Sequence, residues 1–384
     1  MISAARLAWL QLRREKIRLV IALTGVAFSV TLMFMQIGFM DALFRSAVNV
    51  HSRLLADLVL VDRGYTSLVF PTRFSRRRLY QALGFDGVAS VSPVYTGFTR
   101  WKNPETGATR DIFMLGLDPA RPALALPGLE AGLARARYPD VVLFDAYSRP
   151  EFGPVAAAVG SGHDLVTETS RHRVTVKGLF QLGTSFGVDG NIITSDLNYA
   201  RILPEVPRGA IGIGLVRLQP GASPRAVQAA LAAALPHDVR VLTKQEFAQK
   251  EIAYWATATP IGFVFSFGVA MGVIVGVIIV YQILFADIAD HLAEYATLKA
   301  LGYSGRYLAA VVVIEATIIA LIGYLPGLAV AWRLYEVTRG ATMLPMILSA
   351  GRGFLVLGLT LPMCWLSGLI AMRKLRAADP ADIL

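Results

Sequence analysis

The sequence predicts an integral membrane α-helical protein with four transmembrane helices and a large α+β extracytoplasmic domain inserted between spans 1 and 2. Three observations carry the prediction. Of 384 residues, 55% are hydrophobic, and the mean hydropathy is +0.53, too apolar for an ordinary soluble chain. Four long apolar runs stand out, each able to cross a hydrocarbon core that takes roughly 20 helical residues. More than 200 residues between the first two runs read as short strands and turns.

The first run, 19–40, has no charge over 22 residues; the second, 260–286, has none over 27; the third, 308–332, holds only Glu315; the fourth, 353–372, has none over 20. The first exceeds the apolar region of a signal peptide and lacks a convincing small-x-small cleavage site, so it reads as a retained span. Lys and Arg near the span ends set the orientation. Arg6, Arg13, Arg14, Lys16 and Arg18 precede span 1, Lys299 and Arg306 lie between spans 2 and 3, and Arg373, Lys374 and Arg376 follow span 4. These regions are placed in the cytoplasm; Arg333, Arg339 and Arg352 count against this and are outweighed.

The resulting organisation is a basic segment 1–18, span 1 at 19–41, an outer domain with its stalk at 42–254, and span 2 at 255–288. A cytoplasmic connection 289–306, span 3 at 307–332, an external loop 333–352, span 4 at 353–372 and a cytoplasmic tail 373–384 follow.

The outer domain carries 24 Lys or Arg against 18 Asp or Glu, a net of +6 out of the chain's +10. Most of the positive charge therefore lies away from the cytoplasm, which argues against a nucleic-acid partner despite a pI near 9.8. Arg73, Arg76, Arg77 and Arg78 read as a solvated face, with an anionic-ligand or lipid-headgroup contact as the alternative. Cys364, the single cysteine, falls in span 4, so no intramolecular disulfide is available.

Strand-like runs recur at 56–61, 91–101, 111–117, 140–144, 172–180 and 191–195. A helix follows Ser223 and Pro224, a cap and a first-turn proline, and ends at Pro236; flanked by IGIGLVRL and VRVL, it makes a strand, helix, strand unit. TKQEFAQKEIAYWATATPIGF runs on towards span 2 with helical composition, and a continuous helix there would form a stiff stalk, with Tyr254 and Trp255 in an interfacial belt.

Candidate chemistry is sparse. GTSFG at 183–187 satisfies G-x-S-x-G with Ser185 as nucleophile, but VDGNIITSD follows where a nucleophile elbow needs a helix, so turn glycines are the better reading. His163, Asp164 and His172 have no zinc-like spacing. No P-loop occurs, nor any Gly-Lys pair, so ATP is not bound by a P-loop of this chain. Glu315 is the ionisable residue inside an apolar run, either functional or bonded within the bundle, with Gln36 of span 1 as a partner. Gly268, Gly272 and Gly276 recur every four residues along span 2 and mark a close helix contact.

Between spans 2 and 3, HLAEYATLKALGYSGRYL places Tyr295, Leu298 and Leu301 on one apolar stripe, with Glu294 and Lys299 away from it. Gly302 stops this short helix and Ser304 caps the next. Such an element either eases a turn at the interface or fits a partner's groove.

YWATATPIGF, GVIIVYQILFADIADHLAEYATLKALGY and IGYLPG, all between Tyr254 and Tyr335, resemble DevC-type permeases within the FtsX/MacB-like group of ABC transporters. GTSFGVDGNIITSDLNYA at 183–200 and the closing MRKLRAADPADIL are similar to further motifs of that group. The resemblance implies a permease subunit of an ABC-type exporter in the inner membrane, a homodimer of eight spans with both termini cytoplasmic and a periplasmic domain. It implies that the 2–3 connection is a coupling helix on a separate ATPase, with Glu294, Tyr295, Thr297, Leu298, Lys299, Leu301 and Gly302 as the contact. ATP and Mg would bind that partner, and this chain would hold no cofactor or metal. The other implied partners are a periplasmic membrane-fusion adaptor, a TolC-type outer-membrane channel and the lipid membrane, with a lipid-like or hydrophobic cargo such as glycolipid. The alternative is a transmembrane signalling scaffold that activates a periplasmic cell-wall hydrolase.

Overall fold

The structure, a computed structural model, describes residues 4–14 and 16–377. The chain falls into two compact units. One comprises residues 1–42, 260–342 and 346–384, the other 43–259 with 343–345.

Among the described residues of the helical unit, four helices are long and apolar enough to cross a membrane: Lys16–Ala47, Pro260–Asp290, Gly305–Thr342 and Ala350–Ala377. A shorter helix, Ala4–Arg14, precedes them. Their bounds correct the expected ones wherever hydropathy and helicity part company. The third helix runs ten residues past the expected end of span 3, so much of the expected loop 333–352 is helical. Polar residues there keep the helical period, as the Glu336–Arg339 pair at i, i+3 shows, and Met343, at φ 58°, marks the end. The second helix starts at Pro260 rather than 255. Of the expected tail 373–384, residues 378–384 lie outside the described residues.

The other unit is built on a mixed sheet. Its strands in chain order are β1 (Leu58–Asp62), β2 (Phe74–Ser75), β3 (Val88–Lys102), β4 (Thr109–Leu117), β5 (Val141–Asp145), β6 (Leu165–Thr169), β7 (His172–Phe180), β8 (Asn191–Ser195), β9 (Ala210–Ile211), β10 (Ile213–Leu218) and β11 (Val239–Thr243). Nine of them pair in the order β11-β1-β10-β3-β4-β8-β5-β7-β6, and β2 pairs with β9 separately. The β4–β8 and β5–β7 pairs are parallel. The predicted strand, helix, strand unit is present as β10, Pro224–Ala234 and β11, but β1 lies between its two strands.

Both sheet faces are buried, which explains why LVLV in β1 is continuously apolar rather than alternating. Leu58 and Leu60 join a core with Trp101, Phe144 and Tyr199; Val59 and Val61 join the opposite core with Phe113, Phe180 and Phe247. Period-two geometry sends neighbours to opposite faces. Tyr199 closes tightly over the first core: its hydroxyl donates to Thr96 O at 2.8 Å, and side chains at Gly97 and Gly116 would collide with its ring.

One expectation fails at the end of this unit. The stalk helix is Lys244–Ala253, opened by a Thr243/Glu246 capping box, and is followed by a π-turn at Tyr254–Ala258. Thr259 is extended, at φ −116° and ψ 154°, so the helix does not continue into Pro260–Asp290. Pro260 is the cause, because a proline pushes the preceding residue out of the helical region.

Candidate functional site

The connection between the second and third long helices folds as a short helix, Leu292–Ala300. It stops in a Schellman arrangement: Gly302 sits at φ +91°, its N–H donates to Lys299 O at 3.1 Å, and the N–H of Tyr303 donates to Leu298 O at 3.1 Å. The next helix begins with Ser304 as cap, its Oγ accepting from the Tyr307 N–H at 3.3 Å. Glu294, Thr297, Lys299, Leu301 and Gly302 are exposed and Leu298 is half-buried; the side chain of Tyr295 lies outside the described residues. Among the described side chains of this hairpin, Leu301 at 71% exposure is the largest apolar group left uncovered. Arg14 lies 3.9 Å from Glu294, an exposed pair worth little by itself.

Behind this hairpin is a polar cluster at the same end of the helical unit. His291 Nδ1 is 2.9 Å from Asp287 O, and Arg18 pairs with Asp290. Glu315 is fully buried, and neither of its oxygens has a hydrogen-bond partner among the described residues. The expected Gln36–Glu315 bond is therefore not formed. Gln36 instead lies against Gly268, where a Cβ would fall 2.4 Å from its Cδ. Gly272 faces Met33, and Gly276 faces Met363 and Ser29. The glycine face is a close contact of span 2 with spans 1 and 4 of its own chain.

Sequence reading missed two polar joints. In the helical unit, Arg352 is 6% exposed; it pairs with Asp41 and donates to Tyr335 Oη at 3.1 Å and to Ile347 O at 2.7 Å. In the sheet unit, Glu251 of the stalk helix is 1% exposed. Its Oε1 accepts from Ser67 Oγ at 2.7 Å and Trp255 Nε1 at 3.0 Å, and its Oε2 from Tyr65 Oη at 2.8 Å and Leu68 N at 2.9 Å. His51 Nε2 is 3.5 Å from the same oxygen. One carboxylate thus ties the stalk to two other stretches of chain. Burial pushes this carboxyl up, but hydrogen bonding and charge from His51, with the Ser67 and Tyr65 hydroxyls, outweigh it and hold Glu251 below the ordinary carboxylate range. Burial first, then the Glu251 charge, raises the Tyr65 phenol well above its usual value. The partners are up to 186 residues apart, so no local pattern could have announced them.

The GTSFG stretch packs beside this joint. The N–H groups of Leu182 and Gly183 donate to Asp145 at 3.0 and 2.8 Å, and Ser185 bridges Val188 in a tight turn that leads into β8. No helix follows Ser185, so the strand–turn–helix of a nucleophile elbow is not built here. The other tempting triple is dispersed: His172 pairs with Asp140, Asp164 with Lys177, and His163 with Ser161. Arg76 and Arg78 of the arginine cluster have partners in Tyr95 and Asp238.

Comparison with known proteins gives this geometry its context. Residues 19–234 match the MacB-like periplasmic core domain family, and residues 266–380 match the FtsX-like permease C-terminal family. The chain belongs to the FtsX/MacB-like group of ABC permeases. The permease is therefore a multi-pass membrane protein, with its GTSFG turn inside the first matched region and its short helix, glycine face and Glu315 inside the second. Among solved structures it is similar to the periplasmic region of MacB from Actinobacillus actinomycetemcomitans, at 11% identity and a TM-score of 0.37, covering 53% of this chain and 96% of that one. It is also similar to the extracellular domain of the noncanonic ABC-type transporter YknZ from Gram-positive bacteria, at 11% identity and 0.32, covering 49% and 99%. A domain of a putative permease protein from Porphyromonas gingivalis aligns at 16% identity and 0.30, covering 50% and 89%. No curated protein matches the chain.

Proposed function

We propose that this permease is the non-catalytic, force-transmitting subunit of a DevC-type export pump. Hydrolysis of ATP, with its Mg, belongs to a separate ATPase that docks on the hairpin Leu292–Ala300 from the cytoplasm. In this reading both termini are cytoplasmic, two copies assemble with eight spans, and the sheet unit meets a periplasmic membrane-fusion adaptor and, through it, a TolC-type channel. A lipid-like or hydrophobic cargo is taken from the outer leaflet or periplasm, so no polar tunnel through the spans is needed.

The observation that carries the proposal is the hairpin itself. It is stopped by a Schellman motif on one side and recapped on the other, and it leaves Glu294, Thr297, Lys299 and Leu301 exposed. A turn that merely joined two spans would not need a rigid, apolar-tipped helix. The joint at Glu251 supports transmission, since it holds the stalk to the domain that would meet the adaptor.

The test is ATP hydrolysis by the permease purified with its ATPase and adaptor, for wild type and Leu298→Asp. Stimulation by the adaptor in wild type, lost in the variant with the protein still in the membrane, is the expected outcome. Hydrolysis indifferent to both would remove the coupling assignment and favour the scaffold that activates a cell-wall hydrolase.

A further inference from the structure

Four aromatic rings gather at one end of the sheet unit. Tyr254 and Trp255, in the π-turn after the stalk helix, have ring centroids 5.4 Å apart. Phe70 meets Tyr254 edge-on at 5.8 Å, and Phe186 of the GTSFG turn meets Trp255 edge-on at 5.8 Å. Three separate stretches of chain thus converge on one aromatic collar.

Burial across the collar is graded. Trp255 is 8% exposed, with its indole N–H given to Glu251. A Cβ on Gly187 would fall 2.7 Å from Val69 and 3.6 Å from Trp255, so the turn must carry glycine to lie this close. The outer rings are left open: Phe70 is 53% exposed and Phe186 51%. The same domain buries Phe74, Phe113, Phe144, Phe152, Phe180 and Phe247. Displaying two phenyl rings on one collar costs hydrophobic free energy in water and calls for a covering phase.

Chain reach keeps the collar near the start of the second long helix. Trp255 lies five residues before Pro260, the first residue of the second long helix, and five residues extend at most about 18 Å. That helix opens with Phe263 at 70% exposure and Phe267 at 54%, an apolar face suited to lipid. The polar headgroup zone is roughly 5–8 Å deep on each side of the hydrocarbon, and aromatic rings favour that zone.

We propose that the collar of Phe70, Tyr254, Trp255 and Phe186 is a lipid-binding surface, with the two phenylalanines inserted at the boundary between phospholipid headgroups and acyl chains. Trp255 and Tyr254 form its seat, Glu251 fixes that seat, and the GTSFG turn exists to present Phe186. This rests on Pro260–Asp290 being a span and not on the export reading.

The test is spin labelling of the full chain in phosphatidylcholine vesicles, with no other protein present. In a Cys364→Ala background, single cysteines are placed by Phe70→Cys and Phe186→Cys. Ile274→Cys, 49% exposed within the span, and Tyr138→Cys, 68% exposed, are references. Tyr138 lies ahead of Val141, at the opposite end of β5 from Asp145, which binds the GTSFG turn. Collision with oxygen, which concentrates in lipid, is compared with collision with a water-soluble nickel chelate. Labels at 70 and 186 are expected to share the oxygen preference of 274, reversing the ratio seen at 138. Labels at 70 and 186 that follow 138, with 274 still in lipid, overturn the proposal. So does shielding from both reagents, which would mean a second copy covers the collar. A water-like signal at 274 would instead remove the span reading beneath it.

Discussion

The buried carboxylate of Glu251 is the residue on which the stalk depends most directly. Four donors converge on it within 3.0 Å, and hydrogen bonds to a charged group are worth about 1.5–3 kcal/mol each. Removing it strands those donors in a dry interior, so Glu251→Ala is expected to cost about 3 kcal/mol and to lower the thermal midpoint of the full chain in detergent. Its folded pKa lies below the unfolded value, so its contribution is complete above roughly pH 4.5 and fades as pH falls through the folded value. Tyr65 is shifted the other way: its contribution is complete below roughly pH 10 and is lost as pH rises towards the folded value. The midpoint gap between wild type and Glu251→Gln should therefore be widest between these limits and close on acidification. A gap that persisted in acid would show that geometry, not charge, makes the joint.

At the scale of elements, the hairpin between spans 2 and 3 is the part most legible from sequence and also the part most open to test. Gly302 was readable as a helix stop because a left-handed C-terminal residue is so often glycine, and it does adopt φ +91°. An alanine there costs about 1–2 kcal/mol and frays the turn holding Leu298 and Lys299. Gly302→Ala is expected to weaken ATPase binding to the reconstituted permease by up to about tenfold, and Gly302→Asn, which tolerates left-handed backbone, by less. Equal binding by all three would show that the cap does not shape the contact. The strands were legible for the same local reason: 172–180 and 191–195 appear as β7 and β8 with unchanged bounds. What was not legible depends on distance or on a single residue's veto. The continuous stalk failed because Pro260 forces Thr259 extended, although the flanking composition is helical. The expected loop 333–352 failed because hydropathy falls at Arg333 before the helix ends. Arg352, read as an external loop cation, is buried against Asp41 and Tyr335, over 300 residues from the former.

For the molecule as a whole, the spans' packing limits how two copies could meet. The four-residue glycine repeat of span 2 was readable as a contact, but its partner was not, because small residues serve contacts within and between chains alike. Here Gln36, Met33, Ser29 and Met363 fill that face. On the same helix, Phe263, Phe267, Met271, Ile274 and Ile278 are exposed. Their spacing of three and four residues makes one apolar stripe, free for lipid or for a second copy. A homodimer built on span 2 would have to use this stripe. In a Cys364→Ala background, Gly268→Cys with Gln36→Cys is expected to oxidise within one chain and leave the electrophoretic mass monomeric. Single cysteines placed along the stripe by Phe267→Cys or Met271→Cys should give a covalent dimer, strongest at the position nearest the two-fold axis. If the glycine-face pair yielded dimers and the stripe did not, the glycine face would be shared between copies and the intrachain packing of spans 1 and 2 would have to open in the assembled complex.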